Sequence, residues 1–131
     1  MNPAQLAKSY RTMAITTATP GQIILMLYDG ALRSMAIALN GFEETCPRDE
    51  VIHTKIANAI DIIRELQRSL NMRVPGDFPR RMFALYDYMA NQLLQAEIRK
   101  DPEPIRVVER LLGKIRDSWA QMLDSSAARA A

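Results

Sequence analysis

Apolar residues recur along this chain in steps of three and four, the period of helices that pack on one side. The clearest start is at Thr19. Its hydroxyl suits an N-cap, Pro20 suits the first helical position, and Gln22 stands three residues after the cap, where a capping box needs it. Laid on a helical wheel, residues 20 to 42 put Ile24, Leu27, Tyr28, Ala31, Met35, Ala38, Leu39 and Phe42 on one face. Ile23, Leu25, Met26, Ala36 and Ile37 fall outside it, and only a narrow strip through Gln22, Asp29, Arg33 and Asn40 is polar. A helix with this much apolar surface is either central in the fold or shares its surplus with another chain, a client or a second copy.

Three further helices follow. After the polar stretch Gly41 to Asp49, with Asp49 as a capping residue, comes a stripe of Ile52, Ile56, Ala59, Ile60, Ile63, Leu66 and Leu70. Pro75, Gly76 and Asp77 mark a turn that stops this helix and caps the next, whose stripe is Met82, Phe83, Tyr86, Met89, Leu93 and Ala96. Asp101-Pro102-Glu103-Pro104 ends the third helix and places acids at the positive end of the fourth. There Ile105, Val108, Leu112, Ile115, Trp119 and Met122 have the spacing of a bundle seam. Strand signals are nearly absent. Four helices of similar length with short connections specify an all-α, antiparallel up-down four-helix bundle. The 131 residues form one domain, in which 1–17 read as a short N-terminal helix or mobile arm and 125–131 as a disordered tail.

Composition removes several function classes. A net charge of +2 with 24% charged residues is an ordinary surface rather than a nucleic-acid footprint, and Arg64, Arg68, Arg73, Arg80 and Arg81 read as a solvated corner. The lone Cys46 cannot form an internal disulfide and no secretory leader is evident, so the expected setting is cytoplasmic. The longest uninterrupted apolar run, Ile23 to Tyr28, is far shorter than the roughly 20 residues of a bilayer span, which argues against membrane insertion and leaves surface association open.

Catalytic constellations are scarce. Glu50 and His53 make one Glu-x-x-His pair, where a di-iron bundle needs two and further carboxylates; no metal or other cofactor is expected. Cys46 has no histidine-bearing element to activate it, and Asp29 and Asp87, each following a tyrosine, make an acid–base pair only if they converge. Two features favour binding. Eight methionines suit either an adaptable contact surface or a methionine-filled core; Met35, Met82, Met89 and Met122 sit on core stripes and Met26 does not. Gly30, inside a strong helix, costs about 1 kcal/mol relative to alanine and implies a close approach, by a partner or at a helix crossing.

The run SYRTMAITTATPGQIILMLYDGAL, together with IIRELQRSLN, LYDYM, QLLQAEI and a late DSW, resembles the flagellin-specific export chaperones, the FliS family, from about Ser9 to Trp119. Thr19 and Gln22 stand where the family more often has Ser and Glu, which preserves the capping chemistry. The resemblance implies a small antiparallel helical bundle, with no enzymatic activity, that holds the disordered carboxy-terminal segment of flagellin in the cytoplasm. It further implies that the bundle prevents premature polymerisation and hands the subunit to the flagellar type III export gate. Carried onto this chain, it implicates Tyr10 and Ile15 in the arm and the apolar residues around Pro20 and Gly21, namely Ile23, Leu25 and Met26. The residues leave two alternatives: a helical small-molecule enzyme with Arg64, Arg68, Arg80 and Arg81 lining an anionic site, or an adaptor for another secretion substrate.

Overall fold

In the computed structural model, residues 18–130 are described, and they contain four helices: α1 (Pro20–Glu43), α2 (Asp49–Arg68), α3 (Phe78–Arg99) and α4 (Glu103–Ala130). No strand occurs among the described residues. Helix α1 begins as its sequence dictates, with Pro20 in the first turn and a complete capping box. The Gln22 amide donates to Thr19 Oγ1 at 3.2 Å, and the Thr19 amide donates to Gln22 Oε1 at 3.0 Å.

The other starts differ from the expected caps. Arg48 is the N-cap of α2 and makes no side-chain cap bond; Asp49 and Glu50 instead occupy the first turn, where their charge favours the helix dipole. Asp77 holds the N-cap position of α3, but its backbone is already helical (φ −88°, ψ −11°), so its carboxylate does not cap. It lies 3.9 Å from Arg81 instead. At the turn into α4, Asp101 Oδ1 accepts from the Glu103 amide at 3.0 Å. Helix α4 continues to Ala130, through the segment from Ser125 assigned to a tail on composition.

Each helix packs on two others, α1 on α2, α2 on α3, α3 on α4 and α4 on α1, which closes a four-helix ring. Side-chain pairs show the neighbours to be antiparallel. Asp29 in the first half of α1 pairs with Arg116 midway along α4, while Glu43 at the end of α1 reaches Arg106 near the start of α4. Lys100, just after α3, reaches Asp49 at the start of α2, while Arg64 late in α2 binds Asp87 in the first half of α3.

The core is the sum of the four stripes. Met35, Ile56, Ile63, Leu66, Met89, Leu93, Ile105, Val108 and Leu112 are its largest fully buried side chains. Close packing at two glycines sets the fit of α1. A Cβ at Gly41 would lie 2.7 Å from Ile52 Cγ1, and one at Gly21 would lie 2.7 Å from Leu123 Cδ2. Gly30 is not the tight position that its place in the helix suggests: a Cβ there would meet Ile62 Cδ1 at an ordinary 3.4 Å.

Run length understates the apolarity of α1. An 18-residue window of this helix has a mean hydropathy of 1.3, so by length and composition alone it is long and apolar enough to cross a membrane. In the bundle its Tyr28, Ala31, Met35, Ala38 and Leu39 face is core and Asp29 pairs with Arg116, the roles of a packed bundle helix.

Candidate functional site

At the end of the bundle where α1 and α3 begin and α2 and α4 run out, the core stripes do not close on one another. They leave an apolar groove of about 550 Å³. Ile24 and Tyr28 of α1, Leu70 after α2, Phe78, Met82 and Tyr86 of α3, and Leu111, Ile115, Trp119 and Met122 of α4 line it. Ser69, Asn71, Lys114 and Ser118 contribute its few polar atoms.

Trp119 joins two walls of the groove. Its Nε1 donates to the Gly21 carbonyl at 2.8 Å, and its ring meets Tyr28 edge-on with centroids 6.5 Å apart. The Tyr28 and Tyr86 hydroxyls face each other across the α1–α3 diagonal at 2.7 Å, and both residues are 3% exposed. Burial is the main reason both phenols ionise above the usual tyrosine range, Tyr86 well above it, so both keep their protons near neutrality.

The repeated Leu-Tyr-Asp has a common structural use. Each tyrosine turns into the groove, and each following aspartate turns outward to an arginine on a neighbouring helix. Arg116 Nε donates to Asp29 Oδ1 and Arg64 Nη1 to Asp87 Oδ1, each at 2.7 Å. The hydrogen bond from Arg64 holds the Asp87 carboxyl below its ordinary range. Arg64 Nη1 also donates to Gln67 Oε1 at 2.9 Å, and the buried Gln67 passes the network on by donating to the Phe83 carbonyl at 3.1 Å. The two aspartates therefore do not converge as an acid–base pair. The corner arginines also pair off separately, Arg68 with Glu65 at 2.6 Å and Arg81 with Asp77, instead of lining one anionic site. His53 of the Glu-x-x-His pair hydrogen-bonds Glu97, and no metal-ligand cluster occurs among the described residues.

The residues that the sequence singles out for partner contact do not coincide with the groove walls among the described residues. Tyr10 and Ile15 are outside the described residues. Pro20, Ile23 and Met26 are exposed, Gly21 and Leu25 are half-buried, and none of the five lines the groove. Its walls come instead from residues read as core: Met82, Ile115 and Trp119 are only partly buried, and Met122 is 45% exposed. Phe83, placed on the α3 core stripe by its spacing, is likewise exposed. The methionine alternatives divide accordingly. Met35 and Met89 are core, Met82 and Met122 border the groove, and Met26 and Met72 are exposed.

Comparison with known proteins identifies this arrangement. The family described as Flagellar protein FliS matches residues 2–126, nearly the whole chain. The chain belongs to the FliS family. The Flagellar secretion chaperone FliS of Bacillus subtilis is 33% identical over 117 residues, covering 89% of this chain and 85% of the relative. Its Salmonella typhimurium counterpart is 35% identical over 111 residues, covering 83% and 80%. The one from Escherichia coli is 31% identical over 111 residues, covering 84% and 80%. Membership in the FliS family makes the chain a flagellar export chaperone rather than an enzyme.

Proposed function

We propose that this chaperone carries flagellin in the cytoplasm, holding its disordered carboxy-terminal segment against the bundle, preventing premature polymerisation and delivering the subunit to the export gate. The observation that carries this reading is the open apolar groove: a bundle with a finished core leaves Trp119, Met82, Met122 and Phe78 around a space large enough for side chains of a partner. A segment that is disordered when free wraps large areas, laying amphipathic turns into such grooves. Ile23, Leu25 and Met26 offer a second apolar contact along α1, and Tyr10 and Ile15 are proposed to compete with the client for apolar surface. Met82 and Met122 suit a site that adapts to several apolar side chains.

Calorimetry with intact flagellin and with flagellin lacking its carboxy-terminal segment tests the reading. Intact flagellin is expected to bind with a negative heat-capacity change, since coupled folding and binding buries on the order of 1,000 Å² or more. Equal binding by the truncated flagellin would overturn it. Pairing of the α1 surplus with a second copy of this chain would appear instead as concentration-dependent dimerisation that client does not reverse.

A further inference from the structure

Two phenols hydrogen-bonded only to each other contain one proton too many. Each hydroxyl has a single proton to donate. Whichever of Tyr28 and Tyr86 donates across their 2.7 Å contact, the accepting hydroxyl retains a proton with no acceptor among the described residues. Both side chains are 97% buried by their 3% exposure, and both border the apolar groove. The other polar groups of the groove differ from them. Ser69, Asn71, Lys114 and Ser118 are exposed, and Trp119 Nε1 already donates to the Gly21 carbonyl, so the tyrosine pair alone presents a spare donor largely cut off from bulk water. Burial raises the ionisation of both phenols, which keeps this surplus proton in place near neutrality.

We infer that the groove is selective rather than merely greasy: its occupant presents an oxygen acceptor, a side-chain carbonyl or hydroxyl or an unpaired main-chain carbonyl, to the Tyr28–Tyr86 pair. This rests on the proposal that the client segment lies in this groove and adds the chemistry by which it is read. The apolar walls tolerate many side chains, because a thioether or methylene more or less changes little. A buried donor is less tolerant, since an occupant that is apolar at that point leaves the proton unpaired in a dry site. Ile24, Ile115 and Trp119 thus supply attraction, and the tyrosine pair fixes the register of the bound segment. A helix end suits the site well, because its last carbonyls lack partners within the helix.

The test uses the full chain and the carboxy-terminal segment of flagellin as the probe. Tyr28→Phe and Tyr86→Phe singly each leave one hydroxyl to donate to the client, so binding is expected within about threefold of wild type. The double variant removes the donor, keeps the ring packing and orphans nothing; it is expected to retain the wild-type melting temperature and to bind the segment at least about tenfold more weakly. Met82→Asp, which puts an unpaired charge in the same groove, provides the control. If Met82→Asp loses binding while the double phenylalanine variant binds within twofold of wild type, the client uses the groove and the acceptor inference is wrong. If Met82→Asp binds normally, the groove reading and this inference fall together. A measurement on the unaltered chain stands even should the double variant fold poorly. With ζ-carbon-labelled tyrosine, the client is expected to shift the Tyr28 or Tyr86 signal as the surplus proton gains its acceptor, and unchanged signals in the saturated complex would overturn the inference.

Discussion

Trp119 contributes to stability in three separable ways, which its substitution resolves. Spacing alone puts it on the α4 seam, where a buried tryptophan replaced by alanine costs about 3–5 kcal/mol. In the structure it is only partly buried, with one face toward the groove, so the cost is lower. The bond from Nε1 to the Gly21 carbonyl contributes about 1 kcal/mol, the edge-on contact with Tyr28 about 0.5–1 kcal/mol, and the partial apolar burial about 1 kcal/mol. Trp119→Ala is therefore expected to cost about 2.5–3 kcal/mol, whereas Trp119→Phe keeps most of the ring contact and loses chiefly the hydrogen bond, about 1 kcal/mol. For a domain of this size each kcal/mol moves the melting temperature by about 3–4 °C, so the expected drops are roughly 8–12 °C and 3–4 °C. Thermal melts followed by circular dichroism, with urea titrations for the free energies, read both values. A Trp119→Phe variant that melts within 1 °C of wild type would refute the hydrogen-bonded tie between α4 and the start of α1.

The glycines of α1 divide by what a methyl group would meet. Gly30→Ala is expected to stabilise by up to about 1 kcal/mol through helix propensity, while Gly41→Ala is expected to destabilise by about 1–3 kcal/mol because its Cβ would collide with Ile52; urea titrations check both signs. The Arg64–Asp87 pair gives a pH signature. Asp87 ionises below its ordinary value of 3.8 when folded, so the pair adds stability above that pH and loses it as pH falls through the lowered folded value. The stability difference between wild type and Arg64→Ala is accordingly expected to be present at pH 7 and to shrink below pH 4, and a difference that grows in acid would contradict the assignment. Leu112→Ala is expected to cost about 2–5 kcal/mol, whereas Met26→Asp on the exposed side of α1 is expected to leave folding within about 0.5 kcal/mol and to weaken flagellin binding. Melting temperature set beside affinity for each variant distinguishes the two roles.

The bundle was legible because four stripes, a capping box at Thr19 and two proline-rich turns all demand the same architecture. Periodicity reports which residues share a face, however, and not whether another helix covers that face. Ile24, Met82, Ile115, Trp119 and Met122 satisfy the rule for core positions, yet they line a groove because the stripes do not close on one another at one end of the bundle. The uses of the Leu-Tyr-Asp echo were equally hidden. Only the antiparallel ring, and the α1–α3 diagonal across it, bring Tyr28 to Tyr86 and send Asp29 and Asp87 to different arginines. The surplus of α1 was legible on the helical wheel, which puts Ile23, Met26 and Ile37 off the core face, and the bundle leaves all three exposed.

Trp119 is the only tryptophan in the chain and stands in the groove wall, so its fluorescence reports occupancy directly. The carboxy-terminal segment of flagellin, chosen without tryptophan, is titrated into the wild-type chain and into Met82→Asp, with emission and calorimetric affinity read on the same samples. The account predicts a saturable blue shift of Trp119 at the stoichiometry of binding in wild type, and loss of both shift and affinity in Met82→Asp. Tight binding with unchanged Trp119 emission and an unaffected Met82→Asp variant would contradict it, placing the client elsewhere on the bundle.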